Sequence, residues 1–347
     1  NKAPNNVTFI DTEEIISNVG ITNWHDSRML NLIKQPFSMD VLPTLAKNIS
    51  SKIANKIGLS KKVLILDLDN TIWGGVAGEE KVKNLELGND TPLGESYSNF
   101  QKFIKSLHEK GVILCVCSKN TEKNAKNVFK KNKSMILKLP DITIFKANFK
   151  DKATNIREIS KNLNLGLDSF VFIDDSLTEC ELIKKEIPEI FTINLNGDPS
   201  NYSKKIEKYN LFKLDGLTKE DFTRNISYKK IIEINKNLNK KTNLELFLKS
   251  LKPVAVFEKV NNTNIGRISE ILQKTNQSKL SDKVFSIQEI RKLKSSFISI
   301  RLKDKMQDFG IVTVVFFQKN RKLKQLEIKN WVMSCRVFGR RLEYFLL

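Results

Sequence analysis

From Lys61 onward the chain alternates short apolar runs with amphipathic stretches, and acidic pairs follow two of the apolar runs directly. Alternation of this kind is the signature of an α/β fold with a parallel sheet and helices on both faces. The spacing predicts strands over Val63–Leu66, Val112–Val116, Thr143–Phe145, Phe170–Ile173 and Phe191–Asn194. Helices are predicted over Tyr97–Glu109, Thr121–Lys131, Lys152–Asn162 and Leu177–Glu186. The pattern breaks near Gly197–Ser200, where Gly, Asp, Pro and Ser cluster.

The flanks read differently. After the Trp24–Arg28 segment, Asp40–Ile57 carries Leu42, Leu45, Ile49, Ile53 and Ile57 at helical spacing, a leader helix expected to pack on the α/β region. Past residue 253 the order is strand, helix Thr263–Thr275, loop, then strands Phe297–Leu302, Gly310–Gln318 and Gln325–Met333, with a helix starting at Arg336. The expected organisation is a helical segment over 1–60, a Rossmann-like α/β domain over 61–198, a Lys/Asn-rich helical connector over 199–252 and an α+β domain over 253–347. The chain starts at Asn1 and stops inside the helical run Arg340–Leu347, so both ends are read as cut.

At 347 residues the chain is long enough for two or three cores. The net charge of +20 comes mostly from lysines scattered along the chain, which argues against a nucleic-acid groove while favouring encounters with phosphorylated substrates or an acidic carrier. Cys115, Cys117, Cys180 and Cys335 lack metal or disulfide spacing, as expected of a reducing, cytoplasmic compartment. The apolar stretches Val63–Leu66 and Ile311–Phe317 are far below the ~20 residues of a membrane span.

The chemistry is concentrated at the ends of the predicted strands. In Asp67-Leu68-Asp69-Asn70-Thr71 the acids at i and i+2 leave an extended segment on one side. Paired carboxylates are costly unless a cation or a reaction uses them, and Mg²⁺ suits carboxylate, carbonyl and phosphate oxygens. Asp67 would then attack phosphorus, and Asp69 would serve as general acid and base. The bland alternative is a surface turn. Ser118 and Asn120 follow the second strand, where they could hold phosphoryl oxygens. Lys152 opens a helix and could neutralise charge in phosphoryl transfer. Asp174 and Asp175 follow the fourth strand and would complete a metal site. Singly, Ser118 could begin a loop, Lys152 could be a surface lysine and Asp174 a helix cap.

In order and spacing these four sites resemble the haloacid dehalogenase superfamily. The longer strings Asp67-Leu-Asp-Asn-Thr-Ile-Trp-Gly-Gly-Val76, Cys117-Ser-Lys-Asn120, Asp151-Lys-Ala-Thr-Asn155 and Phe172-Ile-Asp-Asp175 look like the FkbH-like family, with its subclass IIIC phosphatases. Lys274-Thr-Asn-Gln277 and Trp331-Val-Met-Ser-Cys-Arg-Val-Phe-Gly-Arg340 extend the resemblance over roughly residues 24 to 347. It implies Asp67, Asp69, Lys152 and Cys117 as catalytic residues, and Thr71, Ser118, Lys119 and Asn120 as substrate-binding residues. Asp67, Asp69 through its carbonyl, Asp174 and Asp175 would surround Mg²⁺. It further implies removal of phosphate from 1,3-bisphosphoglycerate and loading of the glyceryl unit onto an acyl carrier protein. A plain phosphatase, or an interaction module that retains the motifs, are the alternatives.

Residues 74–96 are too few for a large cap, so a macromolecular partner could reach the site. Glyceryl transfer would require a thiol, for which Cys117 beside Ser118 is the candidate. The last domain resembles an acetyltransferase-like fold: Arg336 and Gly339 match a pyrophosphate-binding turn, while Arg341 stands where a small residue is expected. His108 is read as a solvated helix residue and His25 as structural, and neither is given a catalytic role.

Overall fold

The computed structural model describes residues 7, 9–212, 228, 229, 232, 251–274, 278–305, 308–320, 324–334, 337 and 342. Five parallel strands, β1 (Val63–Leu66), β2 (Ile113–Ser118), β3 (Ile142–Ala147), β4 (Phe170–Asp174) and β5 (Phe191–Asn194), form one sheet in the order β3-β2-β1-β4-β5. The strands are apolar almost throughout because both faces of the sheet are covered. Leu64 and Leu66 of β1 enter one core cluster and Val63 and Ile65 enter the other. The same alternation sends Leu114 and Val116 of β2 to the first cluster and Cys115 and Cys117 to the second.

Helices α5 (Pro92–Glu109), α6 (Glu122–Lys131), α7 (Lys152–Leu163) and α8 (Leu177–Glu186) connect the strands. Each has a side-chain N-cap: Thr91, Thr121, Asp151 and Ser176 respectively. α5 starts five residues before the expected Tyr97, and Thr91 followed by Pro92 at the first helical position is the local signal for it.

N-terminally, α1 (Thr12–Val19), α2 (Ile21–Trp24) and α3 (Ser27–Ile33) precede α4 (Leu42–Ile57). The α4 helix is as expected, but the C-terminal part of its apolar stripe is exposed: Ile49 is 39%, Ile53 55% and Ile57 48% exposed, while Leu42 and Leu45 are half-buried. Polar contacts tie α4 to the sheet domain instead, with Asn210 receiving the Ser51 hydroxyl on its carbonyl at 3.2 Å and donating its amide to Asn48 at 3.3 Å.

The first core runs beyond residue 198. In α9 (Tyr202–Glu207), Tyr202 and Ile206 are buried in the same cluster as Leu64, as is Phe212. Lys61 N–H donates to the Leu211 carbonyl at 2.8 Å. Residues 202–212, expected as part of a connector, therefore complete the α/β unit because they cover apolar surface that the sheet leaves open.

A second sheet is antiparallel, in the order β6 (Val254–Lys259), β7 (Phe297–Lys303), β8 (Asp308–Asn320) and β9 (Gln325–Met333). Helix Ile265–Lys274 packs on it through Ile268, Ile271 and Leu272. Helix Ile287–Lys292 occupies part of the expected loop, and its capping box of Ser286 and Glu289 was readable in the sequence. The rest of the connector apart from residues 228, 229, 232, 251 and 252, together with Cys335, Thr275 to Gln277 and the Arg336–Arg341 turn apart from Val337, lie outside the described residues. Among the described residues no helix is long and apolar enough to cross a membrane.

Candidate active site

The chain runs β1 to β2 to β3 on one side of the sheet and returns to place β4 on the other side of β1, so the connections diverge between β1 and β4. Open α/β sheets bind ligands at such a point, outside the carboxyl ends of the strands. Register then sets the acids. Leu66 is paired with Ile173, and Asp67 N–H donates to the Ile173 carbonyl at 3.1 Å, so Asp67 and Asp174 emerge level from neighbouring strands. Carboxylate oxygens of Asp67, Asp174 and Asp175 lie within 4.8 Å of one another. Asp67 is 6% and Asp174 1% exposed.

Lys152, the first residue of α7, reaches between them. Its Nζ lies 3.0 Å from Asp67 Oδ1 and 2.5 Å from Asp174 Oδ2. Burial by itself would lower its pKa, but the two carboxylates outweigh burial and raise it, so the ammonium is retained. Burial, followed by the charge of Asp67, pushes Asp174 up to about 7. Burial likewise raises Asp67 and Asp175. The buried Ser118 hydroxyl beside Asp67 opposes that rise. Below α7, Asn148 and Asn155 exchange amide hydrogen bonds at 2.9 and 3.2 Å, while Asn148 N–H donates to the Ser118 carbonyl at 3.1 Å. This pair joins the first turn of α7 to the end of β2.

Asp69 does not join the carboxylate cluster. Its Oδ1 accepts from Trp73 Nε1 at 3.0 Å and from Ala77 N–H at 2.8 Å, and its Oδ2 accepts from Asn120 Nδ2 at 2.8 Å. β1 ends at Leu66, so the extended geometry that would keep i and i+2 together stops before Asp67. Asn120 was expected to face a phosphoryl group. Its amide nitrogen is instead shared between Asp69 and the Ala77 carbonyl, and its Oδ1 accepts from Thr121 N–H. The loop that supplies Trp73 and Ala77 needs glycine. Gly75 has φ +94°, in the region that favours glycine, and a Cβ there would crowd the Glu80 carboxylate.

Thr71, Lys119 and Cys117 complete the expected set. The buried Thr71 hydroxyl donates to Asp175 at 3.4 Å, so Thr71 contacts the carboxylate cluster. Lys119 pairs with Glu179 of α8 at 2.5 Å. Cys117 does not open onto the site, because β2 continues through Ser118 and turns the Cys117 side chain into the core beneath it. The thiol is fully buried, hydrogen-bonds the Lys152 carbonyl at 3.7 Å, and has its pKa raised by burial. A covalent role does not fit that placement, since the thiolate is the nucleophile. Sequence reasoning missed roles for Trp73, Tyr97, Asn194 and Tyr202. Asn194 donates to the carbonyls of Asp174 and Asp175 at 3.3 and 3.0 Å. Trp73 lies within the Asp67–Val76 string, whose resemblance gave it no role, and nothing in the sequence pointed to Tyr202.

The donor set fits a hard divalent cation. Among the described residues three carboxylates, two of them buried, face one ammonium, which leaves negative charge for oxygen-seeking Mg²⁺ to balance.

Among solved structures, the N-terminal part of the protein BF1531 from Bacteroides fragilis, containing a phosphatase domain and complexed with Mg, matches at 40% identity with a TM-score of 0.56. The match covers 58% of this chain and 53% of that one, so the chain spans about half the length of that structure. A 3-deoxy-D-manno-octulosonate 8-phosphate phosphatase from Moraxella catarrhalis, with magnesium, phosphate and KDO, matches at 13% identity over 58% of this chain and 98% of that one, TM-score 0.26. A putative HAD superfamily subfamily III A hydrolase from Legionella pneumophila matches at 15% over 57% and 94%, TM-score 0.28. The last two TM-scores are too low to support an argument about this chain. No family model and no curated protein matches the chain. The Bacteroides neighbour thus contains a phosphatase domain with Mg, and over the matched part this chain shares its α/β fold, here with a parallel five-stranded sheet.

Proposed function

We propose that this protein is a Mg²⁺-dependent phosphotransferase in which Asp67 is the nucleophile. The observation that supports this most directly is the convergence of Asp67, Asp174 and Asp175 within 4.8 Å of one another, with Lys152 between two of them. Asp67, Asp174 and Asp175 would hold Mg²⁺ together with the Asp69 carbonyl. The ion would supply charge neutralisation at the phosphoryl oxygens.

Asp67 attacks phosphorus as the bond to the leaving oxygen breaks, and the phosphoryl group passes to its carboxylate. Asp69 gives a proton to the leaving oxygen. It then takes one from the attacking water, whose oxygen bonds to phosphorus and frees Asp67. For that role Asp69 must face the reacting oxygens, and the hydrogen bonds from Trp73, Ala77 and Asn120 fix its aim. Lys152 keeps its proton and steadies Asp67 and Asp174. Ser118, beside Asp67, would donate to a phosphoryl oxygen.

The substrate class we favour is a phosphorylated three-carbon acid, 1,3-bisphosphoglycerate, in the cytoplasm. Asp67 would take the phosphoryl group of the phosphate ester. The thiol of an acyl carrier protein would bond to the acyl carbon as the acyl phosphate's C–O bond breaks and phosphate leaves, giving a glyceryl thioester. Support comes from the resemblance of the motif strings, from the basic charge of +20 that would attract an acidic carrier, and from the short segment over 74–96 beside the site. The receiving thiol would not be the buried Cys117. A plain phosphatase is the second reading, favoured by the phosphatase domain of the Bacteroides structure. Incubation with 1,3-bisphosphoglycerate, Mg²⁺ and a carrier protein, read by intact mass of the carrier, separates them. A glyceryl adduct supports transfer; phosphate release with an unmodified carrier supports simple hydrolysis. Release of phosphate from an aryl phosphate, lost in Asp67→Asn, tests the nucleophile itself.

A further inference from the structure

We infer that Tyr97 and Tyr202 act jointly as positioning residues for the nucleophile loop by holding the Asn70 carbonyl, an inference that rests on the roles proposed above for Asp67 and Asp69. Asn70 follows Asp69 directly and adopts φ +52, in the left-handed region. Asn tolerates that conformation better than most residues, but it persists only where the surroundings hold it. Here the holding comes from both ends of the residue. The side-chain Oδ1 accepts from Gly75 N–H at 2.9 Å, and the carbonyl accepts from Tyr97 Oη at 3.2 Å and from Tyr202 Oη at 3.3 Å.

The hydrogen count makes the two phenols unequal. Each hydroxyl carries one hydrogen, and a carbonyl oxygen has two lone pairs, so Asn70 can accept from both at once. Tyr202 can also turn its hydrogen to the Gly197 carbonyl at 3.4 Å. Tyr97 is therefore the principal donor and Tyr202 the reserve. Both are protonated donors at physiological pH, since burial raises both phenols and pushes Tyr97 up to about 12.

The rings themselves are held by packing. Tyr97 and Tyr202 meet edge to face at 6.2 Å, and Tyr202 meets Phe100 in the same way at 5.4 Å. Both side chains are buried in the first core cluster. Removing only the oxygen atoms leaves that apolar packing in place while freeing the Asn70 peptide to turn. A turn there swings Asp69 away from Asn120, Trp73 and Ala77, so the phenols act on the chemistry through the loop rather than by touching substrate. α9 would thus reach the site through Tyr202.

The test uses the full chain with Mg²⁺ and p-nitrophenyl phosphate, measuring kcat, KM and Tm for Tyr97→Phe, Tyr202→Phe and the double variant. Tyr209→Phe, whose ring packs on Phe191, is the control and should match wild type. Because ångström-scale misplacement of a reacting group costs up to about a hundredfold, kcat should fall about tenfold in Tyr97→Phe and about threefold in Tyr202→Phe. The double variant should lose more than the product of the two, with KM within about twofold of wild type. A double variant with kcat within about twofold of wild type overturns the inference, as does a loss that appears in KM or that tracks the fraction unfolded. A wild-type protein that releases no phosphate overturns the reading of the site instead. In that event a crystal structure of the double variant decides the positioning role: Asn70 released from the left-handed region supports it, and Asn70 unchanged with Asp69 still on Asn120 overturns it.

Discussion

The Asn120 amide donates to the Asp69 carboxylate at 2.8 Å and, through the same nitrogen, to the Ala77 carbonyl at 2.7 Å. One side chain thereby connects the end of β2, the nucleophile loop and the segment after it. In the proposed mechanism Asn120 would therefore act on the aim of Asp69 rather than on the phosphoryl group. Asn120→Ala should lower kcat roughly ten- to a hundredfold and leave KM nearly unchanged. Steady-state kinetics with an aryl phosphate checks this. A raised KM with intact kcat would return Asn120 to substrate binding.

Lys152 is the one ammonium found between Asp67 and Asp174 among the described residues, and all three groups are buried. Removing one partner of a buried ion pair leaves charge uncompensated and costs about 3–5 kcal/mol. Lys152→Met should therefore lower Tm markedly without Mg²⁺. Added Mg²⁺ should raise Tm more in this variant than in wild type, because ligand binding to the folded state alone stabilises it. Asp174→Asn should abolish most of the Mg²⁺ response. Scanning fluorimetry with and without Mg²⁺ measures all three; an unresponsive wild type would argue against a metal among these carboxylates.

Cys115, Cys117 and Cys180 are fully buried, and burial pushes Cys115 up to about 12 and Cys180 up to about 11. All three should resist a thiol-reactive disulfide reagent in the folded protein at pH 8 and react on unfolding. Peptide mass mapping of labelled sites follows each of them. Cys117→Ala should keep phosphate release. Rapid native labelling of Cys117 would show that its strand end opens.

His108, at the end of α5, has its pKa lowered, chiefly by burial, with Asp141 opposing. The unfolded chain takes up a proton near pH 6.5, before the folded one does. Stability linked to this group is therefore complete above that pH, falls as pH drops below it, and stops falling once the folded-state pKa is passed. Urea denaturation at pH 7.5 and 5.5 should show an acid-induced loss that is smaller in His108→Gln. An equal loss in both proteins would assign the acid sensitivity to other groups.

Much of the fold was legible because it depends on local pattern. The runs Val63–Leu66 and Phe170–Ile173 are apolar on both faces, as strands of a sheet covered on both sides are, whereas the helix starts at Thr91-Pro92 and at Ser286 with Glu289 carried local signals that the sequence reading passed over. The stripe Ile49, Ile53 and Ile57 shows the limit of periodicity: it predicted the helix correctly, but not whether anything would cover it.

What the sequence by itself determined was which acids, hydroxyl and ammonium stand next to strand ends, since Asp67, Ser118, Lys152 and Asp174 are each placed by the element beside them. Which of them meet was decided only by tertiary structure. Strand order and register set Asp67 level with Asp174, and the pleat of β2 turned Cys117 into the second core cluster and Ser118 to the opposite face. Tyr202 reaches Asn70 across 132 positions of chain. Contacts of that kind form because burial in a shared core outweighs the entropy of closing the loop between them, a balance that local pattern does not encode.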